Sequence, residues 1–185
     1  MTILRVFLAV LLLSFIPAIW VAVRAYLRYR GTRLITCPET RMPAAVRVDK
    51  GHAAATTAVG EPELRLASCT RWPEREHCGQ ECLSQIEAAP EECLVRNILI
   101  HAYDGASCAL CGKGIGEIHW GENKPALLTP DRKTIEWDEI PPETLPAVLA
   151  THPKICWNCH VAKTFHDSFP DLVTERRAPP AHRAS

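Results

Sequence analysis

The chain lacks an excess of charge of either sign. Its 21 Lys and Arg stand against 21 Asp and Glu, which removes any global electrostatic case for nucleic-acid binding. Glycine is scarce beside proline, nine against fifteen, a balance that favours short elements joined by turns over a long helical bundle. Aromatics make up only 6% of the residues. No G-x-S-x-G, no H-E-x-x-H and no phosphate-cradling glycine loop occurs, so the sequence displays no hydrolase machinery. The G-x-G inside "GKGIGE" follows a cysteine pair and no helix pattern follows it. At 185 residues the chain has room for one modest domain of ~100–150 residues plus further segments.

What the chain has in abundance is cysteine. There are nine, an odd number, so a pure disulfide framework leaves one thiol over. Three of the five tryptophans, Trp120, Trp137 and Trp157, lie around the paired cysteines.

The N-terminal run Val6–Val23 carries no charge. Extended to Leu27, with Arg24 snorkelling, it reaches the ~20 residues that span ~30 Å of hydrocarbon. Trp20, Tyr26 and Tyr29 suit an interfacial belt. The sequence therefore predicts a single uncleaved transmembrane anchor within residues 1–30, with the lipid bilayer as the partner of residues 6–27. Arg24, Arg28, Arg30 and Arg33 follow the run, whereas only Arg5 precedes it. The positive-inside rule then puts the C-terminal part on the cytoplasmic side of the plasma (inner) membrane, where thiols stay reduced. The alternative orientation is periplasmic.

Residues 31–63 read as a connector, with a short strand at Val46 and Val48 and a small-residue linker over 51–63. Residues 64–72 alternate like a strand. A helix over 79–89 and a second starting at Pro90 form a pair. Strands are expected over 115–120 and in a hairpin over 126–137 around Pro130-Asp131. A Pro-bounded short helix or loop covers 141–153, and a helix follows Cys156. Residues 170–185 read as a disordered tail, leaving 64–169 as the Cys-rich domain.

The chemistry concentrates in two C-x-x-C pairs, Cys108/Cys111 and Cys156/Cys159. Four thiolates satisfy a tetrahedral ion such as zinc. Gly112 lets the backbone fold back so that N–H groups point at the sulfurs, and a helix N-terminus favours the thiolate form of the second pair. The stretch "CALCGKGIG" resembles the knuckle of zinc-ribbon and treble-clef proteins, over about residues 108–169. That resemblance implies a knuckle, a β-hairpin and a helix whose first turn carries the second ligand pair. The spacer, 112–155, is longer than the ~15–20 residues of compact zinc modules. The fold class expected is thus α+β: a single N-terminal transmembrane helix, then a small Cys-rich domain with a helical pair and a zinc-ribbon-like hairpin plus helix.

A competing pattern overlaps the second pair. "CWNCH" is also C-x-x-C-H, the attachment pattern of a c-type haem, with Cys156 and Cys159 as tethers and His160 as axial ligand. An iron–sulfur cluster is a further cofactor alternative, and Cys156 at a helix start also suits a redox thiol. A second cysteine group, Cys69, Cys78, Cys82 and Cys93 with His77 and the more distant Cys37, reads three ways: a second soft-metal site, two disulfides, or buried free thiols. The function expected is a membrane-anchored, zinc-binding module that contacts another membrane or cytoplasmic protein, with neither catalysis nor a nucleic-acid partner expected. The alternatives are a membrane-anchored electron carrier and a thiol-redox or metal-delivery protein.

Overall fold

The structure is a computed structural model describing residues 2–75 and 77–172, with the side chains of the first helix described from Phe15 onward. It divides into two compact units, one formed by 1–102 and 140–148, the other by 103–139 and 149–185. Both carry helices and a three-stranded antiparallel sheet, so the α+β reading holds.

The first unit opens with α1 (Thr2–Arg28). Strands β1 (Thr32–Thr36), β2 (Pro43–Val48) and β3 (Leu66–Cys69) form its sheet in that order. Leu34 faces Ala45, Val46 faces Cys69, and a bulge falls between Arg47 and Val48. Ile35, Ala44, Val46, Val48 and Leu66 build the core, joined by Ala53, Ile86 and the end of α1 through Ala25 and Tyr29. The small-residue stretch expected as a linker is instead α2 (Lys50–Thr57). Asp49 caps it, accepting the His52 N–H at 3.0 Å, and Ala53 is fully buried. An alanine-rich segment with an Asp cap is a sound helix once one face has a core to meet.

Helix α3 (Leu83–Ala88) buries Ile86. The next helix, α4 (Val95–Tyr103), starts later than Pro90 suggested. The intervening backbone is committed to the sheet: Leu34 N–H donates to the Cys93 carbonyl at 2.8 Å, and Arg33 bridges Leu94. Gly105, at φ +63°, ends the run.

The transmembrane expectation is corrected. Among the described residues no helix is long and apolar enough to cross a membrane. Over the described side chains of α1, Arg24 and Arg28 interrupt the apolar run, and Ala25 and Tyr29 belong to the protein's own core. The Lys50 ammonium lies 4.7 Å from the Tyr26 ring, a further tie to α2. The plasma-membrane placement, which rested on that helix, falls with it.

In the second unit, β4 (Ala126–Leu128) lies between β5 (Thr134–Glu136) and β6 (Lys154–Ile155). Leu127 pairs with Ile135 on one side and Lys154 on the other. The hairpin expected around Pro130-Asp131 is therefore present. The strand expected at 115–120 is not; positive φ at Gly116 breaks its extended run. Helix α5 (Leu145–Thr151) follows a 3-10 turn at Pro142–Thr144, and α6 (Trp157–Ser168) follows Cys156. Pro170–Leu172 form a further 3-10 turn. The rest of the expected tail, 173–185, lies outside the described residues.

Candidate metal centre

The two C-x-x-C pairs converge in the second unit. Residues 108–112 form a tight reversed turn: Cys108 N–H donates to the Lys113 carbonyl at 2.8 Å, and Gly112 N–H returns to the Cys108 carbonyl at 2.8 Å. Gly112 sits at φ +71°, a conformation an L side chain resists. The fold-back directs the N–H groups of Leu110 and Cys111 at the Cys108 sulfur.

The second pair arrives from the sheet. β6 hydrogen-bonds β4 and ends at Ile155, so Cys156 emerges at the strand end and becomes the N-cap of α6. Ala109 N–H donates to the Lys154 carbonyl at 2.9 Å. That bond fastens the first cysteine turn to the strand that delivers the second pair. Cys159 then lies in the first turn of α6, so the order anticipated for the site, turn, hairpin, helix, is the order observed.

The sulfurs of Cys108, Cys111, Cys156 and Cys159 all lie within 4.8 Å of one another, and the four residues can hold a metal ion. Cys111 and Cys156 are 3.8 Å apart, sulfur to sulfur. A disulfide needs ~2.05 Å, so this pair is not one. A tetrahedral ion with Zn–S bonds of ~2.3 Å separates its ligands by ~3.8 Å. Cys108 is buried and Cys111 exposed, the others between.

The electrostatics suit a cation. Desolvation raises the Cys108 pKa, but N–H groups of Cys156, Cys111 and Leu110 outweigh it and bring it down to about 6. Cys159 goes the other way, pushed up to about 12 by desolvation and by thiol neighbours Cys156, Cys111 and Cys108. One thiolate forms readily and the last resists, because four negative charges at this spacing need a positive one among them.

The apolar material around these thiols is thin. Cys108, Ala126 and Ile155 form the buried cluster, with Ile115, Leu128, Cys156 and Cys159 packed against it. The cysteines are themselves a large part of this core.

His160, the residue that completes the haem-like pattern, is elsewhere occupied. It is 7% exposed. Its Nδ1 lies 2.9 Å from the Thr134 hydroxyl and its Nε2 3.3 Å from Glu136 Oε1, both on β5. Glu136 in turn accepts from the Lys124 ammonium at 2.7 Å, which also reaches Asp138 at 3.0 Å. Trp157 lies against the imidazole at 5.1 Å between centroids, and Trp120 meets Trp137 edge-on. This network, which the sequence did not reveal, sets the pitch of α6 and so the aim of Cys156 and Cys159.

The remaining candidates divide. Cys37, Cys69, Cys78 and Cys82 line one cavity in the first unit. Cys93 stands apart, its thiol 3.6 Å from the Pro90 carbonyl and facing the buried Arg33. His77 does not line that cavity. No family model, no curated protein and no solved structure matches the chain.

Proposed function

We propose that Cys108, Cys111, Cys156 and Cys159 hold one structural zinc ion, and that the protein is a binding or assembly module built on that centre. The observation that carries this reading is the mutual approach of the four sulfurs to within 4.8 Å. They need no rearrangement to surround a single ion. Zinc suits the donor set, since soft thiolates in a closed tetrahedron are its usual structural environment.

What the ion supplies is cohesion. The hydrophobic cluster here is too small to close the turn, the short strand β6 and the start of α6 onto one another, whereas a structural zinc contributes folding free energy directly. The arrangement resembles the zinc knuckle of treble-clef proteins in its order of elements. Four ligands leave no coordination position for a substrate, which favours a structural role over catalysis.

The haem alternative draws no support from the geometry, because the thiols it would tether are grouped with Cys108 and Cys111 and both nitrogens of His160 are bonded to β5. A multi-iron cluster interposes iron and sulfide between the thiolates and needs them farther apart. A single iron in the same four thiolates is the closest rival. Elemental analysis of the full chain, purified without added metal, separates them. Stoichiometric zinc, lost in Cys111→Ser together with the cooperative melt of the second unit, supports the proposal; stoichiometric iron, or a metal-free protein with an unaltered melt, overturns it.

A further inference from the structure

The turn that follows Cys37 repeats, bond for bond, the turn that follows Cys108. In the metal centre, Cys108 N–H donates to the carbonyl five residues on, and the N–H four residues on returns to the Cys108 carbonyl. At Cys37 the same two bonds run to Met42 (2.9 Å) and from Arg41 (2.7 Å). The residue at the fourth position has positive φ in both, +71° at Gly112 and +56° at Arg41. The N–H groups two and three residues on, from Glu39 and Thr40, are directed at the Cys37 sulfur, as those of Leu110 and Cys111 are at Cys108. Thr40 stands where the second cysteine would be.

A turn that aims two N–H donors at a thiolate is built for a charged sulfur, and three more thiols face it across one cavity. Cys69, at the end of β3, receives the Arg71 N–H at 3.4 Å. Cys78 and Cys82 line the same cavity, whose walls also include Ile35, Leu66 and Arg71 and whose volume is about 90 Å³. That exceeds the ~10–15 Å³ a water molecule needs. Cys82 is buried against this cavity.

We propose that Cys37, Cys69, Cys78 and Cys82 form a second thiolate site in the first unit, which takes a soft divalent ion of the zinc class. Cys93 and His77 are not part of it. The inference leans on the reading of the Cys108 turn as a ligand turn, but its residues are separate, so each site can fail without the other. The two sites differ in readiness. Among the described residues only the Cys108 group brings as many as three sulfurs within 4.8 Å of one another. In the Cys37 site the ion must draw the 78–82 segment toward the turn, and that segment already carries a positive φ at Gln80. The second ion is therefore the more weakly held.

The test uses the full chain, isolated without reductant and titrated with zinc. Each cysteine's alkylation by iodoacetamide is followed by mass spectrometry, before and after stepwise chelation by EDTA. The expected result is two zinc ions per chain. Cys37, Cys69, Cys78 and Cys82 are shielded together, and they lose their shielding at lower chelator concentration than Cys108, Cys111, Cys156 and Cys159. A Cys37→Ser, Cys69→Ser variant then binds one zinc and keeps the second group shielded. Alkylation of the four at the same rate with and without zinc overturns the proposal. So does their recovery as disulfides. If the variant fails to fold, the wild-type shielding pattern alone decides.

Discussion

The Nε2 of His160 lies 3.3 Å from the carboxylate of Glu136, and the other ring nitrogen meets Thr134. The final residue of "CWNCH" is thereby a strut between α6 and the hairpin. His160→Ala removes both bonds, while half-exposed Thr134 and Glu136 keep Thr164 and Lys124 as partners. We expect a loss of about 1–3 kcal/mol in chemical denaturation, with zinc stoichiometry unchanged. Expressed beside c-type haem attachment machinery, wild type is expected to show no Soret absorption.

Metal uptake at Cys108, Cys111, Cys156 and Cys159 should depend on pH in a defined direction. Cys159, held up at about 12, keeps its proton at neutral pH and must give it up to bind. Proton release on binding means that affinity rises with pH, by about tenfold per unit for each proton displaced. Cys108, at about 6, is already ionised at pH 7 and adds to the slope only below its own pKa. Competition titrations with a chromophoric chelator from pH 5 to pH 8.5 should therefore show the steepest dependence at the acid end.

The two like turns make a reciprocal pair of substitutions. A Cβ at Gly112 meets nothing within 4 Å, so Gly112→Ala costs only backbone strain, about 1 kcal/mol. At the matching position Arg41 already bears that strain at φ +56°, and Arg41→Gly should stabilise the first unit by up to about 1 kcal/mol. Urea unfolding of both variants measures the signs.

Ile86 is fully buried in the first core. Ile86→Ala should cost about 2–5 kcal/mol, read as a lower denaturation midpoint with metal binding by Cys108, Cys111, Cys156 and Cys159 unchanged.

Asp49 caps α2 and pairs with Arg65 at 2.7 Å. The His52 N–H first, then Arg65, hold its carboxyl below the usual carboxylate range. A depressed native pKa stabilises the fold above the unfolded value near ~3.9 and ceases to do so as pH falls through the native one. The gap in melting temperature between wild type and Asp49→Ala should thus narrow between pH 6 and pH 3, leaving no carboxylate-dependent part at the acid limit.

Local chemistry was legible where it was regular. The hairpin at 126–136 follows from two apolar runs about a Pro-Asp turn, and the paired cysteines announce their own convergence. Helix α2 was hidden because an alanine-rich stretch takes its structure from the core it meets, although Asp49 ahead of Lys50 was a fair cap signal. The likeness of the Cys37 turn to the Cys108 turn was hidden for a sharper reason. Thr40 occupies the second-cysteine position and Arg41 the glycine position, so geometry persists where the C-x-x-C-G spelling is lost. The transmembrane reading failed because the length of an apolar run does not show that Ala25 and Tyr29 have neighbours of their own.

Strand β2 is covered within its unit by the turn Pro142–Thr144, and Leu145 beyond it is buried. The chain delivers those residues only after it has threaded the whole hairpin of the other unit. On the ribosome the first unit therefore cannot be sealed until residue 148 has emerged, by which time Cys108 and Cys111 are exposed and Cys156 is still to come. Synthesis imposes a waiting period on both halves, during which thiols of both cysteine groups share one exit.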